Sequence, residues 1–263
     1  MSDSMSELAK QGTFICGHPK SGTSLLMTLL DSHPQLLVYP EESAFFRRFS
    51  RVTASMTWEQ KVEHADHHLL HMFEWDAADP PPSQVGFPDR DYTAFSYERV
   101  KKGFREWIRR LGKKESSILP AALFAYGIES GLLTDRTMRW VEKTPYNEKY
   151  ADKIFSLWPA ARCIHVIRDP RDNYTSYRRK HPDWTPRTFA YSWNTSTKLA
   201  SENQARFGRD RYLVVRFEDL LSDPEVALES IRDFLEIEDD PVLRKPTRAG
   251  RPWGGNSMFG DRF

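Results

Sequence analysis

Residues 17–24 read Gly-His-Pro-Lys-Ser-Gly-Thr-Ser, between the apolar run Thr13-Phe14-Ile15-Cys16 and the run Leu25-Leu26-Met27-Thr28-Leu29-Leu30. The spacing predicts a strand, a glycine-bearing turn and a helix, which together aim backbone N–H groups and the positive end of a helix at an anion. A nucleotide-triphosphate loop of the form GxxxxGK[ST] needs its lysine directly after the second glycine, where it reaches the β- and γ-phosphates. Gly17 and Gly22 keep that register, but Thr23 stands in the lysine's place and the cation has moved upstream to Lys20. Lys20, Ser21, Gly22, Thr23 and Ser24 are therefore read as a phosphate cradle that is not an ordinary ATP site.

A second cation falls at a comparable position. Arg162-Cys163-Ile164-His165-Val166-Ile167 is a near-continuous apolar strand, the mark of a sheet buried on both faces. Arg168 ends it, and Asp169-Pro170 opens the next helix. A guanidinium fork suits phosphate better than an ammonium does, and Ser176, one to two turns into that helix, can donate a hydroxyl hydrogen bond. The bland alternative for Arg168 is an ion pair with Asp169 or Asp172. Lys143 ends the short strand Trp140-Val141-Glu142, so it should point into the same crevice; its bland alternative is a surface ion pair with Glu142.

These groups need a frame. Strands alternating with helices imply a mostly parallel sheet covered on both faces, a P-loop-type α/β fold, with binding sites beyond the carboxyl ends of the strands. Expected pieces are the helix Trp58 to Trp75 opened by the capping-box pattern Thr57-x-x-Gln60, a turn at 79–83, a basic helix from Tyr97 to Leu111, and an apolar helix from Leu119 to Leu133. Thr144-Pro145 is read as the N-cap and first-turn proline of a helix running to Leu157. Tyr212–Val215 is a further strand, and Asp223-Pro224 caps the helix Glu225 to Leu235. Residues 44–118 break the α/β rhythm, and about 44–135 read as a helical insertion shaping a substrate pocket within a single domain spanning 1–263.

Composition narrows the classes. The 263 residues are 39% hydrophobic and 13% aromatic, ample material for a core. Thirty-eight basic side chains against 37 acidic ones leave a formal charge of +1, which argues against a general nucleic-acid partner. Cys16 and Cys163 both lie in apolar runs and are read as reduced, buried thiols. No run approaches the ~18 apolar residues of a membrane span, and the polar first eleven residues lack a signal-peptide core, so a cytoplasmic location is expected.

The two stretches, Gly17–Ser24 and Val166-Ile167-Arg168-Asp169-Pro170-Arg171-Asp172 continuing to Ser176, together resemble the two cofactor signatures of the sulfotransferases that use 3′-phosphoadenosine 5′-phosphosulfate. The first resembles the family's 5′-phosphosulfate loop and the second its 3′-phosphate site. Glu142-Lys143-Thr144-Pro145, Val215-Arg216-Phe217-Glu218-Asp219-Leu220-Leu221 and the Gly-Arg-Pro-Trp segment at 250–253 fit the same pattern, which would add Arg251 to the donor contacts. The branch containing tyrosylprotein sulfotransferases and bacterial relatives is the nearest, through Leu30-Asp31-Ser32-His33-Pro34 and Glu41-Glu42-Ser43. The match covers about residues 13–43 and 140–256. Phe217 stands where some relatives carry tyrosine, and Lys180 where arginine is common.

The resemblance implies transfer of a sulfuryl group from 3′-phosphoadenosine 5′-phosphosulfate to a hydroxyl acceptor. It also implies that Glu42 is the general base, with Glu41 or a histidine (His18 or His33) as alternatives. A transferring sulfuryl group carries less negative charge than a γ-phosphoryl, so Lys20 and Lys143 can stand where a kinase uses Mg²⁺, and no metal is expected. Carbohydrate, peptide tyrosine, phenol and lipid alcohol are all open as acceptors. An ATP-using kinase is the rival enzyme class, and a non-catalytic nucleotide-binding module the rival without chemistry. His64, His67, His68 and His71 fall within two turns, but Trp58, Val62, Ala65, Leu69 and Met72 define the buried face. The histidines are read as edging a solvated face, with a metal site as the alternative. The basic run from Arg99 to Lys114 is likewise read as a solvated face, or else as a rim attracting an acidic acceptor.

Overall fold

The computed structural model describes residues 2–74 and 90–255. Its centre is a five-stranded sheet, every strand parallel to its neighbours, built from β1 (Gly12–Cys16), β2 (Leu36–Val38), β3 (Arg139–Lys143), β4 (Arg162–Ile167) and β5 (Tyr212–Arg216) in the order β2-β3-β1-β4-β5. The strand carrying the glycine loop is therefore central, and the chain leaves it to build one side of the sheet and then the other. That reversal opens a crevice at the carboxyl ends of β1, β3 and β4, where ligands bind in such sheets.

Period-two alternation explains how both faces are covered. Phe14, Cys16, Trp140, Cys163 and Tyr212 point to one face and join a core with the helices α3 (Trp58–Leu70), α4 (Tyr97–Leu111) and α5 (Glu115–Ser130). Ile15, Val141, Ile164, Val166 and Val215 point to the other and pack under α2 (Thr23–Leu30), α9 (Phe217–Ser222) and α10 (Pro224–Leu235). Two further helices, α7 (Pro170–Lys180) and α8 (Pro186–Phe207), follow β4. Both cysteines are free and buried, as expected.

Most element boundaries agree with the sequence reading. Thr57 and Gln60 form the full capping box of α3, α4 runs over the expected residues, and Asp169 caps α7 by accepting the Arg171 N–H. The helix α3 ends at Leu70, short of the expected Trp75, and a 3-10 turn, His71–Phe73, follows it; Trp75 and the turn at 79–83 lie outside the described residues. The apolar helix begins earlier than expected, at Glu115, and contains Pro120 in its second turn. One reading is corrected: Thr144-Pro145 do not cap a helix. A 3-10 turn, Asn147–Tyr150, comes first and the helix α6 (Ala151–Leu157) follows. The Thr144 hydroxyl is taken by Glu142 and by the Ala44 N–H, and Tyr146 adopts a left-handed φ of +71°. Among the described residues no helix is long and apolar enough to cross a membrane.

Candidate active site

The loop between β1 and α2 has the geometry of an anion cradle. Gly22 begins α2 at φ +102° with no side-chain cap, leaving the helix end open. A Cβ there would lie 2.1 Å from the Phe217 ring, so both conformation and space require glycine. Gly17, at φ +139°, would drive a Cβ to 2.5 Å from the Val166 carbonyl oxygen. Ser21 is buried and its hydroxyl has no hydrogen-bond partner among the described residues, a costly state in a closed core and an expected one where a ligand supplies the partner. Thr23 is buried and Ser24 half-buried. Lys20 is half-buried at φ +70°. Desolvation, then the neighbouring charges of Lys180, Lys143 and Arg90, push its ammonium below the usual lysine pKa, and Glu42 opposes them weakly.

Arg168 ends β4 beside this loop. Its Nη1 donates to the Lys20 carbonyl at 3.2 Å, and its guanidinium lies 4.4 Å over the Phe217 ring. Phe217 is thus wedged between Gly22 and Arg168, a packing role that needs no phenolic hydroxyl. The indole N–H of Trp193, from α8, donates to the Arg168 carbonyl at 3.0 Å. The alternative ion pairs with Asp169 or Asp172 do not form: Asp169 is held by Arg171 at 2.7 Å, and Arg168 Nε is buried without a partner. Ser176 lies half-buried on α7.

The two adjacent glutamates diverge. Glu42 pairs with Lys143, Oε1 to Nζ at 2.8 Å; the lysine side chain is 5% exposed and the glutamate 43%. Protein packed around Glu42 opposes its ionisation, but the charge and hydrogen bond of Lys143, with Arg47 and Arg90 farther off, hold it below the usual carboxylate pKa. Lys143 accordingly does not pair with Glu142. Glu41 instead accepts from Arg248 at 3.0 Å and from the Tyr92 hydroxyl at 2.8 Å, with Arg90 at 3.5 Å. It ties the segment after β2 to the hairpin strands β6 (Thr247–Arg248) and β7 (Arg251–Pro252).

Other residues singled out in the sequence have partners of their own. His18 is buried among Tyr146, Tyr177 and Phe189, its Nδ1–H shared between the Pro19 carbonyl at 2.9 Å and Asn173 Oδ1 at 3.2 Å. His33 is buried between the Glu238 carbonyl and the Gln35 N–H. Burial lowers the pKa of both rings. Arg251 is exposed and donates to the Asp91 carbonyl at 3.1 Å, and no contact among the described residues joins it to the loop. Of the clustered histidines, His64 and His68 stack on Phe49 and His71 bonds the His68 carbonyl. No group of three His, Cys, Asp or Glu among the described residues is arranged to hold a metal ion. In the basic run, Arg105 and Lys101 are drawn to Asp66, Arg99 to Glu129 and Lys113 to Glu59. The acidic partners lie on α3 and α5, while Lys102, Arg109, Arg110 and Lys114 are exposed.

The sequence reading missed His68 as a neighbour of the site. Its Nε2–H donates to the Ser43 carbonyl at 2.8 Å, and burial pushes its pKa down to about 4, so the ring is neutral. It missed Trp193 as the support of Arg168 as well. Neither has a local signal, because each contact joins residues 25 apart in sequence.

Comparison with known proteins agrees with this geometry. The model of the sulfotransferase family matches residues 12–241. Protein-tyrosine sulfotransferase A of Caenorhabditis elegans is 24% identical over 245 residues, 90% of this chain and 53% of that protein. Protein-tyrosine sulfotransferase 2 of Gallus gallus is 23% identical over 249 residues, 92% of this chain and 55% of that one. The chain spans about half the length of the curated relatives it matches. Two solved structures share the fold. The sulfotransferase domain from the curacin biosynthetic pathway has a TM-score of 0.52 at 21% identity, covering 92% of this chain and 80% of its own. The sulfotransferase domain of the Synechococcus PCC 7002 olefin synthase has a TM-score of 0.53 at 21% identity, covering 95% and 78%. A parallel sheet with its glycine loop on the central strand, cations at two strand ends and a family match over most of the sequence lead to one assignment: the chain belongs to the sulfotransferase family.

Proposed function

We propose that this protein transfers a sulfuryl group from 3′-phosphoadenosine 5′-phosphosulfate to a hydroxyl acceptor, with Glu42 as general base and Lys20 and Lys143 as the charge-stabilising cations. The observation that carries the reading is a pair of cationic residues, Lys20 and Arg168, linked by the Arg168 bond to the Lys20 carbonyl and without ion-pair partners among the described residues. A donor with two anionic ends answers both. The residues fit it: the orphaned Ser21 hydroxyl, the open start of α2 at Gly22 and the Lys20 ammonium suit a phosphosulfate, while Arg168 and the Ser176 hydroxyl suit a 3′-phosphate. When bound, the donor supplies an activated sulfuryl group on an anhydride oxygen.

The chain's own groups do the rest by positioning and charge. Glu42, whose carboxylate Lys143 stabilises against the opposing effect of burial, accepts the acceptor's hydroxyl proton. Lys143 and Lys20 would supply positive charge toward the bridging oxygen of a bound donor. As Glu42 becomes neutral its hold on Lys143 weakens, which frees that ammonium for the departing oxygen. The curated relatives are named protein-tyrosine sulfotransferases, so peptide tyrosine is the first acceptor to test, followed by phenols, carbohydrates and lipid alcohols.

Calorimetry with adenosine 3′,5′-bisphosphate and with AMP tests the donor assignment. The bisphosphate is expected to bind far more tightly, and Arg168→Ala is expected to abolish most of the difference. Equal affinity for the two nucleotides in the wild-type protein would sink the proposal.

A further inference from the structure

Glu142 and Glu148 are each 1% exposed and have no ion-pair partner among the described residues. A buried carboxylate without a cation is costly unless hydrogen bonds replace its water, and both are filled with donors. Glu142 accepts from the Ser43 hydroxyl at 2.7 Å, the Ser43 N–H at 3.3 Å, the Asn147 side-chain amide at 2.7 Å and the Thr144 hydroxyl. Glu148 accepts from the Gly17 N–H at 3.0 Å and from the Ser196 hydroxyl at 2.6 Å. Each thereby reaches a residue that adjoins the site. Ser43 follows Glu42, and Gly17 opens the anion loop.

Further bonds complete both grips. The Ser43 carbonyl accepts from His68 at 2.8 Å, so every polar group of Ser43 is engaged. The Ala44 N–H donates to the Thr144 hydroxyl at 3.0 Å, and the Tyr146 N–H to the Gly17 carbonyl at 3.1 Å. Ala44 and Tyr146 sit at φ +48° and +71°. Side-chain-bearing residues rarely adopt that region and remain there only where their surroundings over-determine the backbone.

The geometry points to residues 142–148 as a two-ended brace: Glu142 and Glu148 are positioning residues that hold Glu42 and the anion loop in register with one another. The inference rests on the reading of Glu42 as base and of the loop as donor site. Its physical reason is that a reacting group displaced by about 1 Å can lose on the order of 10²-fold in rate. Here the two ends are joined by a single short segment, so base and donor cannot drift apart independently. A carboxylate suits the task because it offers only acceptors to surrounding donors. Glutamine in its place would turn an N–H₂ against one of them.

Two measurements on wild type, Glu142→Gln and Glu148→Gln test the brace: titration of the Glu42 carboxyl by carbon NMR, and calorimetry with adenosine 3′,5′-bisphosphate. Lys143, Arg47, Arg90 and Lys20 are the charged groups acting on Glu42. Glu142→Gln should raise the Glu42 midpoint by about one pH unit as the carboxylate drifts from Lys143, with bisphosphate affinity within about twofold of wild type. Glu148→Gln should leave that midpoint in place and weaken bisphosphate binding about tenfold as the loop loosens. Should Glu142→Gln fail to fold, Ser43→Ala removes the other partner of the 2.7 Å bond and should move the midpoint upward by less. An unmoved Glu42 midpoint in Glu142→Gln or Ser43→Ala overturns the inference, as does a uniform effect of both glutamine variants on both measurements. If wild type binds no bisphosphate, the donor reading fails, while the Glu42 titration still decides the Glu142 end of the brace.

Discussion

Replacing Glu42 by glutamine keeps the shape of the side chain and removes the charge, leaving Lys143 facing a neutral amide. The structural cost follows from the exposures: the lysine is 5% and the glutamate 43% exposed, with 2.8 Å between them. Exposed pairs contribute about 0–1 kcal/mol, and breaking a fully buried pair costs about 3–5 kcal/mol. A pair open to solvent on one side falls between, at about 1–2 kcal/mol after allowance for screening. For a chain of this size that lowers Tm by roughly 2–8 °C, so the variant remains folded at assay temperature. Loss of a general base lowers turnover by about 10²–10⁴, or about 3–5 kcal/mol of barrier, well beyond the stability effect. Donor binding should move the other way. Glu42 partly offsets the charge of Lys20, so affinity for adenosine 3′,5′-bisphosphate should be unchanged or a little tighter. The assay is transfer from ³⁵S-labelled donor to an acceptor found by screening wild type, paired with calorimetry on the bisphosphate. Unchanged turnover, or turnover and affinity falling together, would refute the assignment of Glu42 as base. Glu41→Gln makes the control: it weakens the contacts of Arg248 and Tyr92 that tie the hairpin to the segment after β2, and should lower Tm while preserving turnover per folded molecule.

Other outcomes follow from the same geometry. Arg168→Ala should weaken bisphosphate binding by roughly 10- to 100-fold, the loss of one charge-assisted contact, and leave AMP binding nearly unchanged by calorimetry. Gly22→Ala places a Cβ 2.1 Å from the Phe217 ring at φ +102°, and should lower Tm measurably and abolish bisphosphate binding. Excess EDTA should leave sulfuryl transfer intact if, as proposed, Lys20 and Lys143 supply the positive charge that a metal gives a kinase. Lys143→Ala should lower turnover by roughly 10²–10³ with a smaller effect on donor affinity; a strict Mg²⁺ requirement would return the chain to the kinase class. The pKa of Glu42 is held below the usual value, so the ionised base and the stability of its pair are both present above the ordinary carboxylate range. They are lost only as pH falls through the lowered value. The acid limb of the turnover profile should therefore lie below the ordinary glutamate range, and Lys143→Met should move it upward while reducing the rate throughout.

The frame of the site is legible in the linear chain, because the signals involved are local. Apolar runs mark β1 and β4, glycines mark a turn that only glycine can make, and Asp169-Pro170 starts a helix. Together they put Lys20 and Arg168 at the ends of neighbouring strands. Tertiary structure alone decided which partner each charged group takes. Glu41 and Glu42 are adjacent and chemically alike, yet one is drawn to Arg248, 207 residues away, and the other to Lys143, 101 residues away. Thr144 has every local mark of a helix cap, but Glu142 and the Ala44 N–H claim its hydroxyl first. A propensity is worth a fraction of a kcal/mol to about 1 kcal/mol. A buried carboxylate that must find donors is worth several, so the long-range demand wins wherever the two compete.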